Sequence, residues 1–363
     1  MVCVAAFIIL LVIWLFTPAL KLFGAKKQAK AINEMFKKSV YCFTRRATFR
    51  ACDSNFKDEI KNSILRKLIV RHKKWVKPVS WSIEIVAGLV VLITVWSILT
   101  LIKSGLALYV YGTCNIEKPD SCALNSAEAC TIDGVNGESD FVRWFTEWGD
   151  IFSAIPARMT TWRAEDLVVS DSSYYGQFGG MGKNSNSAAV DIFDPGCVTC
   201  RRSFTNQKQS GFFEKYQVHL IPYVITGENG DKFKNSRLIA SYLEAVRATQ
   251  PDNSQRISPE WYLVEKIFTG KDSQGVVWQE NFNGVSIKAY STEKVENKII
   301  EWLKEAGYTD NQISDISKKA KSKETSKKLA RNAEIVEKKI QTKKIPTLIY
   351  DGKRHDGIFK SQK

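Results

Sequence analysis

Two long apolar runs lie near the start of the chain, residues 2–20 and 83–102, and the only charge inside either is Glu84. At about 1.5 Å per helical residue, each reaches across a hydrocarbon core of about 30 Å. Between them, residues 24–79 alternate basic and apolar side chains at helical spacing, as at Ile60, Ile64, Leu65, Leu68 and Ile69. That pattern predicts short amphipathic helices on a membrane face, where Lys and Arg meet anionic lipid. Trp75 and Trp81 flank one end of the second run and Tyr109 and Tyr111 the other, in the manner of interfacial belts. Lys103 stands at the far edge, placed to snorkel to water along its stem.

Beyond residue 111 the pattern becomes that of a globular domain. Over residues 140–155, Phe141, Trp144, Phe145, Trp148 and Phe152 share one helical stripe, which predicts a helix packed on the domain or lying on the bilayer. Residues 176–187, rich in Gly and Ser, read as a loop. Residues 188–193 form a buried strand that Pro195-Gly196 ends, and a second strand is expected over 219–226. Mainly helical patterns follow. Ser258-Pro259 makes an N-cap with a first-turn proline. Val295, Ile299, Trp302, Leu303 and Ala306 form an apolar stripe that stops at Gly307, and Thr309 with Gln312 makes a capping box. Residues 327–340 read as another helix, and Asp351-Gly352 as the turn into a final strand.

Charge changes the picture of the N-terminal half. The net charge is +15, and residues 21–77, with 17 Lys/Arg against 4 Asp/Glu, carry +13 of it. A basic block between two apolar runs is what the positive-inside rule expects of a cytoplasmic loop. It points to membrane lipid and away from nucleic acid. The first run lacks a basic region ahead of it, so an uncleaved helix is expected, with everything after Tyr111 outside the cytoplasm.

Eight cysteines refine this. Cys3 reads as a small apolar residue of the first helix. Cys42 and Cys52 in the basic loop are expected to be reduced and structural. Cys114, Cys122 and Cys130 fall in the oxidising compartment, where three leave one over; which of them pair stays open. Cys197 and Cys200 form Cys-Val-Thr-Cys at the start of a helix. No second such pair completes a zinc site, so no metal is expected. Unpaired backbone N–H groups and the helix macrodipole stabilise a thiolate at Cys197, making it the attacking thiol. Cys200, one turn in, is placed to resolve a mixed disulfide.

Val190-Asp191-Ile192-Phe193-Asp194-Pro195-Gly196-Cys197 resembles the strand entering the thioredoxin active site. The resemblance makes Asp191, six residues before the first cysteine, a buried proton acceptor. Lys344-Ile345-Pro346-Thr347-Leu348-Ile349-Tyr350 resembles the strand of that fold which begins with a cis proline. On that likeness Ile345, Pro346 and Thr347 face the cysteines and bind the client. Cys200 and Pro346 lie 146 residues apart, and a helical insertion of that size resembles the DsbA-like thiol–disulfide oxidoreductases.

The expected fold is therefore α/β: a thioredoxin fold with a helical insertion at about 230–342, preceded by two transmembrane helices. The divisions are 1–23 and 80–111 for the spans, 24–79 for the cytoplasmic loop, 112–164 for a juxtamembrane segment and 165–363 for the DsbA-like domain. The resemblance implies client proteins with cysteines, a membrane quinone-linked partner that reoxidises the chain, and no cofactor beyond a redox-active Cys197–Cys200 disulfide. Two departures stand out. The family's closing helix has no counterpart after the final hairpin, and Val198-Thr199 lacks the histidine of strongly oxidising members. Oxidase and reductase or isomerase directions both stay open, as does a binding module in which Cys197–Cys200 is a static bridge. Arg201 and Arg202 are read as a solvated helix face or as help in holding a thiolate. His219 is read as a core or edge residue.

Overall fold

The computed structural model describes residues 26–48, 76–114, 116, 129–132, 140–168, 171–175, 187–227, 230–249, 258–284 and 288–360, with Phe7, Leu10, Leu11 and Trp14. The first apolar run lies mostly outside the described residues, as do Cys3, Cys52, Cys122, residues 49–75 and most of the Gly/Ser-rich loop. The chain divides into two compact units, one up to Ile102 and one from Lys103 onward.

In the first unit, helix α1 (Lys26–Ala47) holds much of the basic block. It is one helix of 22 residues where shorter ones were expected. Phe7 stacks on its Phe36 and Phe43, and the Trp14 indole donates to Asn33 Oδ1 at 3.1 Å. Cys42 is disulfide-bonded, which corrects the expectation of a reduced thiol. Helix α2 (Val76–Tyr111) follows. Among the described residues, its stretch Lys77–Tyr111 is the one helix long and apolar enough to cross a membrane.

In the second unit, the end of α2 packs against α3 (Asp140–Met159) through Ala107, Val110, Tyr111, Ile151 and Ala154. Lys103 pairs here with Glu147. The predicted aromatic stripe leaves Phe141, Phe145 and Phe152 exposed.

The sheet of this unit is built on β2 (Ala188–Phe193), whose buried residues are apolar except for Asp191. It pairs in parallel with β3 (Gln217–Pro222) and antiparallel with β7 (Thr347–Tyr350), which in turn pairs with β8 (Lys353–Asp356). The order β3-β2-β7-β8 is the mixed arrangement expected of a thioredoxin-like fold. Asp351 and Gly352, at φ 48° and 76°, make the tight turn between β7 and β8. Helices α4 (Val198–Gln209) and α5 (Phe212–Lys215) connect β2 to β3. Gly211, in the left-handed conformation at φ 72°, separates α4 from α5.

After a small hairpin of β4 (Thr226–Gly227) and β5 (Gly230–Asp231) come the helices of the insertion. They are α6 (Ser236–Val246), α7 (Pro259–Thr269), α8 (Trp278–Asn283), α9 (Thr292–Glu305), α10 (Asp310–Ala320) and α11 (Lys323–Glu334). A π-helical turn at Ile335–Ile340 leads to β6 (Lys344–Ile345). The Thr309–Gln312 capping box forms, and the stripe Val295, Ile299, Trp302, Leu303 and Ala306 is buried. Phe204, Phe213, Trp261 and Phe268 form an aromatic wall that joins α4 to the insertion.

A buried charge cluster locks the insertion to the sheet. Arg247 Nη1 donates to both carboxylate oxygens of Glu244, its Nη2 donates to the Leu220 carbonyl at 2.6 Å, and Glu260 lies 3.6 Å from its Nε. Replacing Arg247 with Met leaves two buried carboxylates without their cation. Urea unfolding of the full chain in detergent should register a loss of about 3–5 kcal/mol.

Candidate active site

The site begins where β2 runs out. Asp194 takes the Asx role: its Oδ1 accepts from the Gly196 N–H at 2.7 Å, and its carbonyl accepts from the Cys197 N–H at 3.0 Å. Ser236 donates to the same Oδ1, and the Ile225 N–H donates to Oδ2 at 2.7 Å. Gly196 must be glycine for packing reasons. A Cβ there would stand 2.4 Å from Phe233 Cβ and 2.8 Å from Ser236 Oγ. The turn delivers Cys197 to the N-cap of α4, as the sequence predicted.

The insertion grips this turn directly. Gln279 of α8 donates from Nε2 to the carbonyls of Pro195 at 3.0 Å and Cys197 at 2.9 Å. Its neighbour Glu280 accepts from Arg201 at 2.7 Å, so Arg201 serves as an anchor of α4. Arg202 is exposed.

The Ile345–Pro346 bond is cis, as expected, and Ile345 and Thr347 are both fully buried. The Ile345 carbonyl faces the cysteines: it lies 3.9 Å from Cys197 Sγ and accepts from the Thr199 hydroxyl at 3.4 Å. Thr347 Oγ1 points its bonding elsewhere, to Asp356 Oδ1 at 3.0 Å and the Lys344 carbonyl at 2.6 Å. Its side chain braces the loop.

The pairing of the cysteines differs from the expectation. Cys197 is joined to Cys130, with Cα atoms 6.4 Å apart, and Cys200 is a free, buried thiol. The expected Cys197–Cys200 bridge, redox-active or static, is therefore not the bond present. The physical reason is placement. β1 (Cys130–Thr131) pairs antiparallel with β6, setting Cys130 opposite Ile345 and beside Cys197. Cys114 is disulfide-bonded as well. Thr199, between the two motif cysteines, sets its hydroxyl 2.8 Å from Cys197 Sγ and 3.1 Å from Cys130 Sγ.

Burial governs the titrating groups. Desolvation pushes the Asp191 carboxyl up to about 7, with one bond from Gln207 Nε2 at 2.8 Å opposing it. Its other oxygen is buried without a hydrogen-bond partner. Desolvation likewise lifts Asp194 to about 6, against its three hydrogen bonds. The Cys200 thiol is raised well above its ordinary value, first by burial and further by the Asp194 and Asp191 carboxylates; the Asp194 N–H, 3.4 Å from Sγ, works the other way. His219 is pushed down to about 4 by burial and Arg247, and its Nδ1 lies 2.9 Å from Ser172 Oγ. It is the edge residue expected. Cys130, Asp194, Thr199, Gln207 and Gln279 escaped the sequence reading. The surplus cysteine among 114, 122 and 130 and the Asp-Pro-Gly turn were the two signals that could have exposed Cys130 and Asp194.

No protein-family model matches the chain, and no curated protein does. Several solved structures are similar to it. A thioredoxin-like oxidoreductase from Silicibacter pomeroyi has 15% identity and a TM-score of 0.34, over 53% of this chain and 87% of that one. The thiol-disulfide exchange protein alpha-DsbA2 from Wolbachia pipientis has 15% identity and a TM-score of 0.36, over 61% and 94%. MdbA, a thiol-disulfide oxidoreductase from Corynebacterium matruchotii, has 15% identity and a TM-score of 0.35, over 53% and 91%.

The raised Asp191 carboxyl has a sign that can be checked. Its pKa is higher folded than unfolded, so its contribution to stability is full below about 4 and is lost as pH rises through about 7. Asp191→Asn removes the buried charge. The variant should be more stable than the parent at pH 8, on the order of 2–4 kcal/mol, with the gain vanishing towards pH 4. Urea unfolding at the two pH values measures it.

Proposed function

We propose that the chain is a membrane-anchored thiol–disulfide oxidoreductase of the DsbA type, exchanging disulfides with cysteine-bearing client proteins. The observation that carries this is the Cys130–Cys197 bond, which sets a strand paired with β6 against Cys197. A sulfur bonded there to a strand paired with β6 has the arrangement of an exchange intermediate. Cys197 is the attacking sulfur. Cys200 resolves the mixed disulfide once its proton has moved, and Asp191, with an unpartnered oxygen, is the acceptor. Thr199 donates a hydrogen bond to the sulfur that carries negative charge. Ile345 and Pro346 hold the client backbone, and Thr347 fixes their loop.

Direction of electron flow follows from the reduction potential of the Cys197–Cys200 pair. A value near about −120 mV marks an oxidase, and one near about −270 mV a reductase. As an oxidase, the chain would pass its electrons to a membrane quinone-linked partner. Purified full chain should exchange disulfides with a cysteine-containing peptide, and Cys197→Ser should reduce the rate to the uncatalysed level. Exchange that survives this substitution assigns the chemistry elsewhere.

The proposed topology has two spans, residues 1–23 and 80–111, with everything after Tyr111 outside the cytoplasm. The basic block supports it. The bonded Cys42 stands against a reducing compartment for the loop, because cytosolic thiol pools reduce such bonds. Compartment-sensitive reporters decide it: one fused after Tyr111 should be active only outside the cytoplasm, and one after Thr48 only inside. The same outcome at both sites overturns the arrangement.

A further inference from the structure

The bond at Cys197 joins it to a piece of its own chain. Building on the exchange reading above, we propose that Cys130 is a third redox-active cysteine. Residues 129–132 then form a tethered client that occupies the β6 edge at rest, and Cys200 competes with Cys130 for Cys197.

Register carries the first part of the case. Cys130 lies opposite Ile345 and Thr131 opposite Lys344, and the Ile132 N–H donates to the Lys343 carbonyl at 3.0 Å. The segment thus takes its backbone bonds from the residues leading into Pro346. That is β-strand addition, in which main-chain bonds supply affinity whatever the side chains. Burial carries the second part. Ala129, Thr131 and Ile132 are buried, Lys232 Nζ donates to the Thr131 carbonyl at 3.1 Å, and Cys197 is fully covered. No outside sulfur reaches Cys197 while the segment is seated.

Sulfur chemistry completes it. Cys200 gives its proton to Asp191, and the thiolate attacks Cys197 Sγ. The Cys197–Cys200 bond forms as the Cys130–Cys197 bond breaks, and the electron pair leaves on Cys130. Thr199 Oγ1, 3.1 Å from Cys130 Sγ, donates a hydrogen bond to that leaving thiolate, which then takes up a proton. One disulfide and one thiol stand on each side, so the step needs no oxidant or reductant. The reverse attack by Cys130 reseats the segment.

The test uses full-length protein in detergent, equilibrated in glutathione buffers, acid-quenched, alkylated and mapped by mass spectrometry after digestion. In the parent protein Cys197 should divide between Cys130 and Cys200. Cys200→Ser should hold only Cys130–Cys197, and Cys130→Ser only Cys197–Cys200. A tethered thiol competes at an effective concentration near millimolar, so Cys130→Ser should react with about 0.1 mM cysteine peptide about tenfold faster than the parent. Cys197 bonded to Cys130 alone across all buffers, or equal peptide rates in the two proteins, overturns the tethered client and leaves the exchange reading standing. No exchange in either protein overturns the exchange reading itself. If Cys130→Ser does not fold, the map of the parent protein decides.

Discussion

Exclusion of water from the β2–α4 turn is the constraint on which the rest depends. Cys197 and Cys200 are buried, and so are the two carboxylates that flank them, Asp191 and Asp194. In such a place an ionised group survives only if the protein supplies the bonds that water would have made. Asp194 receives three and becomes part of the scaffold. Asp191 receives one and keeps an empty oxygen. The two acids sit three residues apart, and they differ in that both oxygens of Asp194 are bonded while one of Asp191 has no partner.

The insertion acts on that turn through very few side chains. Gln279 and Glu280 are neighbours on a helix of six residues, yet one holds the carbonyls of the turn and the other the first turn of α4. Helix α8 therefore transmits the position of the insertion to the sulfur atoms. The aromatic wall around Phe204 and Trp261 makes the same connection less directionally, by shape and area.

Much of this was legible in the sequence because its signals are local. The strand ending at Pro195-Gly196, the N-cap at Cys197, the Thr309–Gln312 box and the Asp351-Gly352 turn each depend on residues within one turn of chain. The cis proline was legible by likeness. The partner of Cys197 was not, because Cys130 lies 67 residues away and reaches it only through the pairing of β1 with β6. Gln279 and Thr199 were missed for a related reason. An amide or a hydroxyl acquires a role only when tertiary structure puts a carbonyl or a sulfur in reach. The first apolar run carries a composition signal that described residues test only through Phe7 and Trp14, which lie against α1.

The short strand β6 has one further consequence. Its edge is filled by β1 from the same chain. An unfilled edge presents unpaired N–H and C=O groups to any extended segment nearby, including the same edge of another molecule. By laying residues 130–131 along it, the chain pairs that edge internally and withholds it from such contacts.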